Sequence, residues 1–174
     1  MLTTKQEAAN KVDMLSETNV GSAGSGMKTS NLKTLAGYQQ FVEALGDVVI
    51  ICNRDGVIRL WNAAAERLFG FTPAEALGSS VDLIIPERLR ERHWAGFTRT
   101  MATGQTRYGQ DVLRVPAVHK DGRPLSIAFT VGLLLGAQRT ATGLVAVIRD
   151  ETKRFAEERD LRKRLAELEG KHGA

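Results

Sequence analysis

Two Asp-Gly pairs constrain this chain more than any other feature of its sequence: Asp55-Gly56 and Asp121-Gly122 each sit between short apolar runs. Such a pair is a strong hairpin signal, because tight turns between strands need positive φ and glycine adopts it without steric cost. Val48–Asn53 and Val57–Trp61 flank the first pair and read as strands. Val112–Val118 and Leu125–Leu133 flank the second, with His119-Lys120-Asp121-Gly122 as the turn. In the latter run Leu125, Ile127, Phe129, Val131 and Leu133 alternate onto one face. Leu144–Ile148 supplies a fifth strand.

Between the hairpins the punctuation changes to that of helices. Asn62 is placed to cap a helix opening with Ala63-Ala64-Ala65-Glu66, and Gly70 ends it. Thr72-Pro73-Ala74-Glu75 forms a capping box with proline in the first turn. Pro86 to Thr103 is the longest helical segment of the middle region, closed by Gly104. Leu89, His93, Gly96, Phe97 and Thr100 recur at helical spacing and share a face, with Met101 assigned to another. Two strands, several short helices and three strands predict an antiparallel α+β fold.

The flanks read differently. Residues 1–31 are polar and contain Gly21-Ser22-Ala23-Gly24-Ser25-Gly26, which predicts a disordered leader or linker, with 1–26 a leader and Met27 a start. Residues 32–46 place Leu32, Leu35, Phe41, Val42 and Leu45 near helical spacing before Gly46, predicting an N-terminal amphipathic helix. The domain proper spans 47–150. Residues 151–174 read as an output or dimerisation helix that either docks on the sheet or pairs with a second copy. Leu161, Leu165 and Leu168 give it a short heptad seam, which Arg154 and Glu158 interrupt upstream.

Composition removes several classes of function. The lone Cys52 rules out an intrachain disulfide, and its place in the first strand predicts a core residue. No apolar run is long enough to span a bilayer, and no secretory pattern opens the chain, so a cytoplasmic location without membrane attachment is expected. The net charge of +4 is mild. Part of the excess lies in Arg88, Arg90, Arg92, Arg99 and Arg107, without the interleaved aromatic residues of a nucleic-acid platform, so no nucleic-acid partner is expected. Phosphate-cradling loops, nucleophile elbows and zinc-protease motifs are absent, so no enzymatic activity is expected. His93, His119 and His172 lack metal-ligand spacing, and His119, beside the hairpin, is expected to be exposed.

The stretch Asp55-Gly56-Val57-Ile58-Arg59-Leu60-Trp61-Asn62-Ala63-Ala64-Ala65-Glu66-Arg67-Leu68-Phe69-Gly70-Phe71 resembles the opening signature of PAS domains. Lys120-Asp121-Gly122-Arg123 resembles the family's central hairpin, and Arg149-Asp150-Glu151-Thr152 its junction with an output helix. The resemblance covers about 47–152 and implies a signal-input module built on a five-stranded antiparallel sheet, with helices over one face enclosing a small-molecule pocket. Members sense light, gas, redox state or metabolites, or only dimerise, and the fold does not choose among these.

Two cofactor chemistries can be weighed on the residues. The light-sensing flavin subgroup needs a cysteine on the helix after the opening signature; Leu68 to Leu77 contains none, so flavin–thiol chemistry is not expected. Arg88-Leu89-Arg90-Glu91-Arg92-His93 resembles the helix carrying the proximal histidine in the FixL-like and direct-oxygen-sensor haem PAS subgroup, and the ungapped interval from His93 to Asp121 agrees with it. The resemblance then implies haem b with His93 as iron ligand, and Arg99 and Arg107 near its propionates. Leu113 takes the place of those families' distal arginine. Leu113, Val115, Phe129 and Val131 would form an apolar distal side; leucine donates no hydrogen bond, so oxygen would lose stabilisation and CO or NO less so. The other reading is a cofactor-free module that dimerises or binds a small metabolite.

Overall fold

The computed structural model describes residues 34–106 and 111–172. The expectations for residues 1–31, for Leu32 and for Arg107 fall outside these. Helix α1 (Leu35–Ala44) leads into strand β1 (Val48–Asn53) and strand β2 (Ile58–Trp61). Helices α2 (Ala63–Phe69) and α3 (Pro73–Ala76), a 3-10 turn at Val81–Ile84 and helix α4 (Glu87–Thr103) follow. Strands β3 (Leu113–Val118), β4 (Pro124–Leu135) and β5 (Ala141–Asp150) complete the sheet, and helix α5 (Thr152–His172) leaves it. The single five-stranded sheet has the order β2-β1-β5-β4-β3. Every neighbouring pair is antiparallel.

Local chemistry explains the boundaries. Thr34 caps α1, accepting a hydrogen bond from the Gly37 amide at 3.1 Å. Asn62 caps α2 by accepting from the Ala65 amide at 3.0 Å. The Thr72/Glu75 capping box starts α3, as its sequence predicts. Val57 is not part of β2; it bridges to Ser80 instead, so the strand begins one residue later than its apolar pattern suggests. β4 runs two residues past Leu133, because Gly143 and Ala141 continue its pairing with β5 and the Thr142 hydroxyl donates to Leu134 O.

The register puts one set of side chains under the helices. Val48 opposes Ile148, which opposes Phe129, which opposes Leu113. Ile50 opposes Ala146, which opposes Val131, and Cys52 opposes Leu144, which opposes Leu133. Paired residues of an antiparallel sheet share a face. This face packs with Phe69, Ile84, Phe97 and Met101 into one core. Asn62 lies wholly inside it and holds three elements together. Its Oδ1 accepts from the amides of Val49 and Ala65, and its Nδ2 donates to the carbonyls of Val42 and Asp47. α1 is thereby tied to the start of β1, while Leu35, Tyr38 and Phe41 stay exposed. α5 touches the sheet only at its root: the Glu151 amide donates to Ser126 O, and the Ser126 amide donates to Thr152 Oγ1 at 3.0 Å. From Glu157 to Leu168 every side chain of α5 is exposed, so the helix does not dock on the sheet. No helix among the described residues is long and apolar enough to cross a membrane.

Candidate functional site

α4 carries the candidate site. Its length needs no side-chain cap: Pro86 precedes it, and Gly104, at φ 64°, closes it. It packs against β5, with Phe97 and Met101 buried and Leu89, His93, Trp94 and Thr100 half-buried. Two assignments of the helical face are corrected. Gly96 is exposed, and Met101 lies on the buried side, one turn after Phe97, because positions four apart stack on one face. Trp94 completes that side: its ring stands edge-on to His93 and to Phe97 at centroid distances of 5.3 Å each.

His93 is the polar member of this apolar stripe. Its Nδ1 is buried and has no hydrogen-bond partner. Burial pushes its imidazole below the usual 6.5, and the charge of Asp82 opposes that shift. The ring is therefore neutral at pH 7, the form that offers a lone pair to a metal. An unpartnered buried nitrogen is uncommon in folded proteins and points to a site awaiting a partner. On this observation the residues fit a metal-centred cofactor held by His93.

The other predicted residues distribute around it unevenly. Leu113, Phe129 and Val131 share the inner sheet face, half-buried, with Leu113 directly opposite Phe129. Val115 shares their face but is 36% exposed, because it lies on edge strand β3; it belongs to the rim rather than to the wall. Arg99 is on the exposed side of α4 and makes no ion pair among the described residues. Cys52 is a core residue; burial pushes its thiol up to about 11, and its Sγ lies 3.9 Å from Leu144 O.

Two supports of the site have no motif that announces them. Asp82, in the 3-10 turn, accepts from Trp94 Nε1 at 2.9 Å and so fixes the indole beside His93. Arg90 donates to the carbonyls of Asp82 and Ile85, which locks the same turn to α4. The indole also rests on the first hairpin: a Cβ on Gly56, at φ 74°, would lie 2.2 Å from Trp94 Cη2. The Asp-Gly pair announces its turn but not the close approach it permits.

The far end of the core is closed by the second hairpin. The Lys120 amide donates to Phe69 O, Lys120 Nζ pairs with Glu75, and the same ammonium lies over the Phe71 ring. His119 is not exposed as its place in the turn suggests. Its side chain is 14% accessible and covers Gly70, where a Cβ would come within 2.5 Å of its Nε2. An open cleft of about 480 Å³ lies at the edge of the core, lined by Asp47, Arg67 and Arg149 together with the core residues Val48, Ala64 and Ile148. No cluster of metal-ligating side chains occurs among the described residues.

Comparison with known proteins agrees with the geometry. The chain matches the PAS fold over residues 36–150. It is 29% identical over 131 residues to Sensor protein FixL of Bradyrhizobium diazoefficiens, covering 75% of this chain and 26% of that protein. It is 25% identical over 116 residues to Oxygen sensor protein DosP of Escherichia coli, covering 65% of this chain and 14% of that protein. The chain thus spans a small part of the curated relatives it matches. Among solved structures, a PAS domain from Colwellia psychrerythraea superposes with a TM-score of 0.60 at 21% identity, covering 68% of this chain and 98% of that one. An RNA-binding light-oxygen-voltage receptor also gives 0.60, at 19% identity, covering 90% of this chain and 43% of the other. These structural likenesses establish the fold alone. A family match over well over half of the chain, carried on the five antiparallel strands and the helix-covered face described above, makes this chain a member of the PAS fold family.

Proposed function

We propose that this domain binds haem b through His93 and reports a diatomic gas or a redox change. The observation that carries the reading is the neutral, buried His93 imidazole whose Nδ1 lacks a partner in an otherwise apolar stripe of α4. The similarity to Sensor protein FixL and to Oxygen sensor protein DosP supports it, as does the motif resemblance to the haem-binding PAS subgroup. The iron would supply the position at which a gas or an electron acts. The protein's part is to hold and tune it. His93 would ligate, and Asp82, through Trp94, would hold the neighbouring ring in place. Leu113, Phe129 and Val131 would exclude water from the opposite side. Arg99, exposed on α4, would meet a propionate at the rim. With leucine rather than a hydrogen-bond donor at 113, the site would favour CO and NO over oxygen.

In this reading the chain senses rather than catalyses, and it acts by pairing with a second copy through its flanking helices. The exposed Leu35, Tyr38 and Phe41 of α1 and the exposed leucines of α5 support that pairing. The test is an absorbance spectrum after haem reconstitution. A Soret band that is lost or shifted in His93→Ala is expected. Absence of the band, or a band unchanged in His93→Ala, refutes haem ligation and leaves the cofactor-free module.

A further inference from the structure

We infer that occupation of the site around His93 is passed through Trp94 to the first hairpin, so that the β2 edge of the sheet changes with the state of the site. This route rests on the haem reading above and names a place where its signal leaves the domain.

The room available to a ligand sets the input. Phe97 and Met101 of α4 and Ile148 of β5 are buried in one core, and Phe129 packs against it. Protein interiors are close-packed, so a planar group does not enter one without movement of an element. A cofactor between His93 and the face of Leu113, Phe129 and Val131 therefore requires α4 to part from the sheet. What α4 carries with it depends on its ties to other elements.

Those ties gather in its first half. The Trp94 ring stands edge-on to His93 at 5.3 Å, and its Nε1 donates to Asp82 at 2.9 Å. Arg90 donates to the carbonyls of Asp82 and Ile85 at 3.2 and 3.3 Å. The far rim of the indole stands on Gly56, with no room for a Cβ between them. Near its other end, Thr103 bonds only to Arg99 O and to the backbone of Gln105. An indole suits the task, since it is rigid and carries one polar handle.

The turn that Trp94 and Arg90 grip is itself fastened to β2. The Ile58 amide donates to Ser79 O, the Gly78 amide to Ile58 O and the Val81 amide to Gly56 O, at 2.9–3.0 Å. β2 is an edge strand, so this turn is its neighbour on the outer side. Coupling travels through packed rings and hydrogen-bonded elements. Here the series is unbroken: imidazole to indole, indole to carboxylate and glycine, turn to strand. The root of α5, by contrast, is held by Ser126 of β4. Movement of α4 thus strains the β2 edge before it reaches the flanking helix.

The test is hydrogen exchange read by mass spectrometry on the full chain, without haem and after haem reconstitution, with the Soret band reporting occupancy. On loading, peptides covering 54–60 and 77–83 are expected to exchange about five- to ten-fold faster, the scale of one weakened hydrogen bond. The double variant Trp94→Phe/Arg90→Gln cuts the ties and leaves His93 in place. It is expected to keep the Soret band and to lose the change in both peptides. Trp94→Phe alone, the gentler substitution, is expected to reduce that change. Loaded and unloaded forms are compared within each variant, so a general loss of stability cancels. A change that persists in the double variant, or one confined to the α5 root at 126 and 151–152, overturns this route while the Soret band upholds haem binding. A wild-type chain without a Soret band overturns both, because the route then has no input.

Discussion

Asn62→Ala should be the most damaging single truncation of a polar side chain in this domain. The side chain is fully buried and makes four hydrogen bonds. Two of its partners, at 3.0 Å, are the amides of Val49 and Ala65; the other two, at 3.1 Å, are the carbonyls of Val42 and Asp47. Each such bond contributes roughly 1 kcal/mol net, and a buried group left without a partner costs somewhat more. Alanine removes all four bonds; the Ala65 amide keeps the residue-62 carbonyl and the Val42 carbonyl keeps the Leu45 amide, while the Val49 amide and the Asp47 carbonyl lose this partner, so the expected loss is about 3–5 kcal/mol. That is a large fraction of the roughly 5–15 kcal/mol by which such domains are stable. Urea unfolding followed by far-UV circular dichroism reads the change; the midpoint should fall with little change in slope. Asn62→Asp sharpens the test. It keeps both acceptor bonds but sets a carboxylate against two carbonyls, which raises its pKa in the folded state. A carboxyl with a raised folded pKa loses stability as pH rises, so this variant should approach the wild type in acid and fall away from it near neutrality. A loss below about 1 kcal/mol in Asn62→Ala would refute the reasoning, because neighbours would then have replaced all four bonds.

Three further outcomes can be checked. Gly56→Ala forces a Cβ to within 2.2 Å of the Trp94 ring at a backbone φ of 74°; it should cost about 2–3 kcal/mol and shift Trp94 fluorescence in a Trp61→Phe background. In the apo domain, His93 has a folded pKa below its usual 6.5, so the unfolded chain binds the proton more readily and stability falls as pH drops below that value. Replacing it by phenylalanine should flatten that part of the pH–stability curve. Glu75, bonded first by Lys120 and then by Thr72, titrates at about 2 rather than 4.5; carboxyl NMR should find it there and find it moved upward in Lys120→Ala.

The fold was largely legible because its signals are local. Asp55-Gly56, Asn62, the Thr72/Glu75 box and Gly104 are each decided by a few neighbouring residues, and each stands where the pattern put it. The site was legible only along α4, where helical spacing gathers Leu89, His93 and Phe97. Relations between distant segments were hidden. Trp94 depends on Asp82 and on Gly56, and His119 is covered because Gly70 lets it approach. No periodicity encodes a residue that is small for the sake of a ring arriving from another element. Met101 falls off a stripe drawn from Leu89 because the packing face drifts around a helix of seventeen residues, and the drift is greatest near its end.

The bidentate pair between Asp47 and Arg149, at 2.9–3.1 Å, sits where β1 begins and β5 ends, and Val48 lies directly opposite Ile148. The polypeptide therefore enters and leaves the sheet at one doorway. A larger protein carrying this domain would hold it as a chamber inserted at a single point of its chain, and removing 47–150 would leave two ends that a short linker can rejoin. The pair at the threshold also means that a strain which parts β1 from β5 separates the two flanking helices, because α1 stays with β1 through Asn62 and α5 stays with β4 through Ser126.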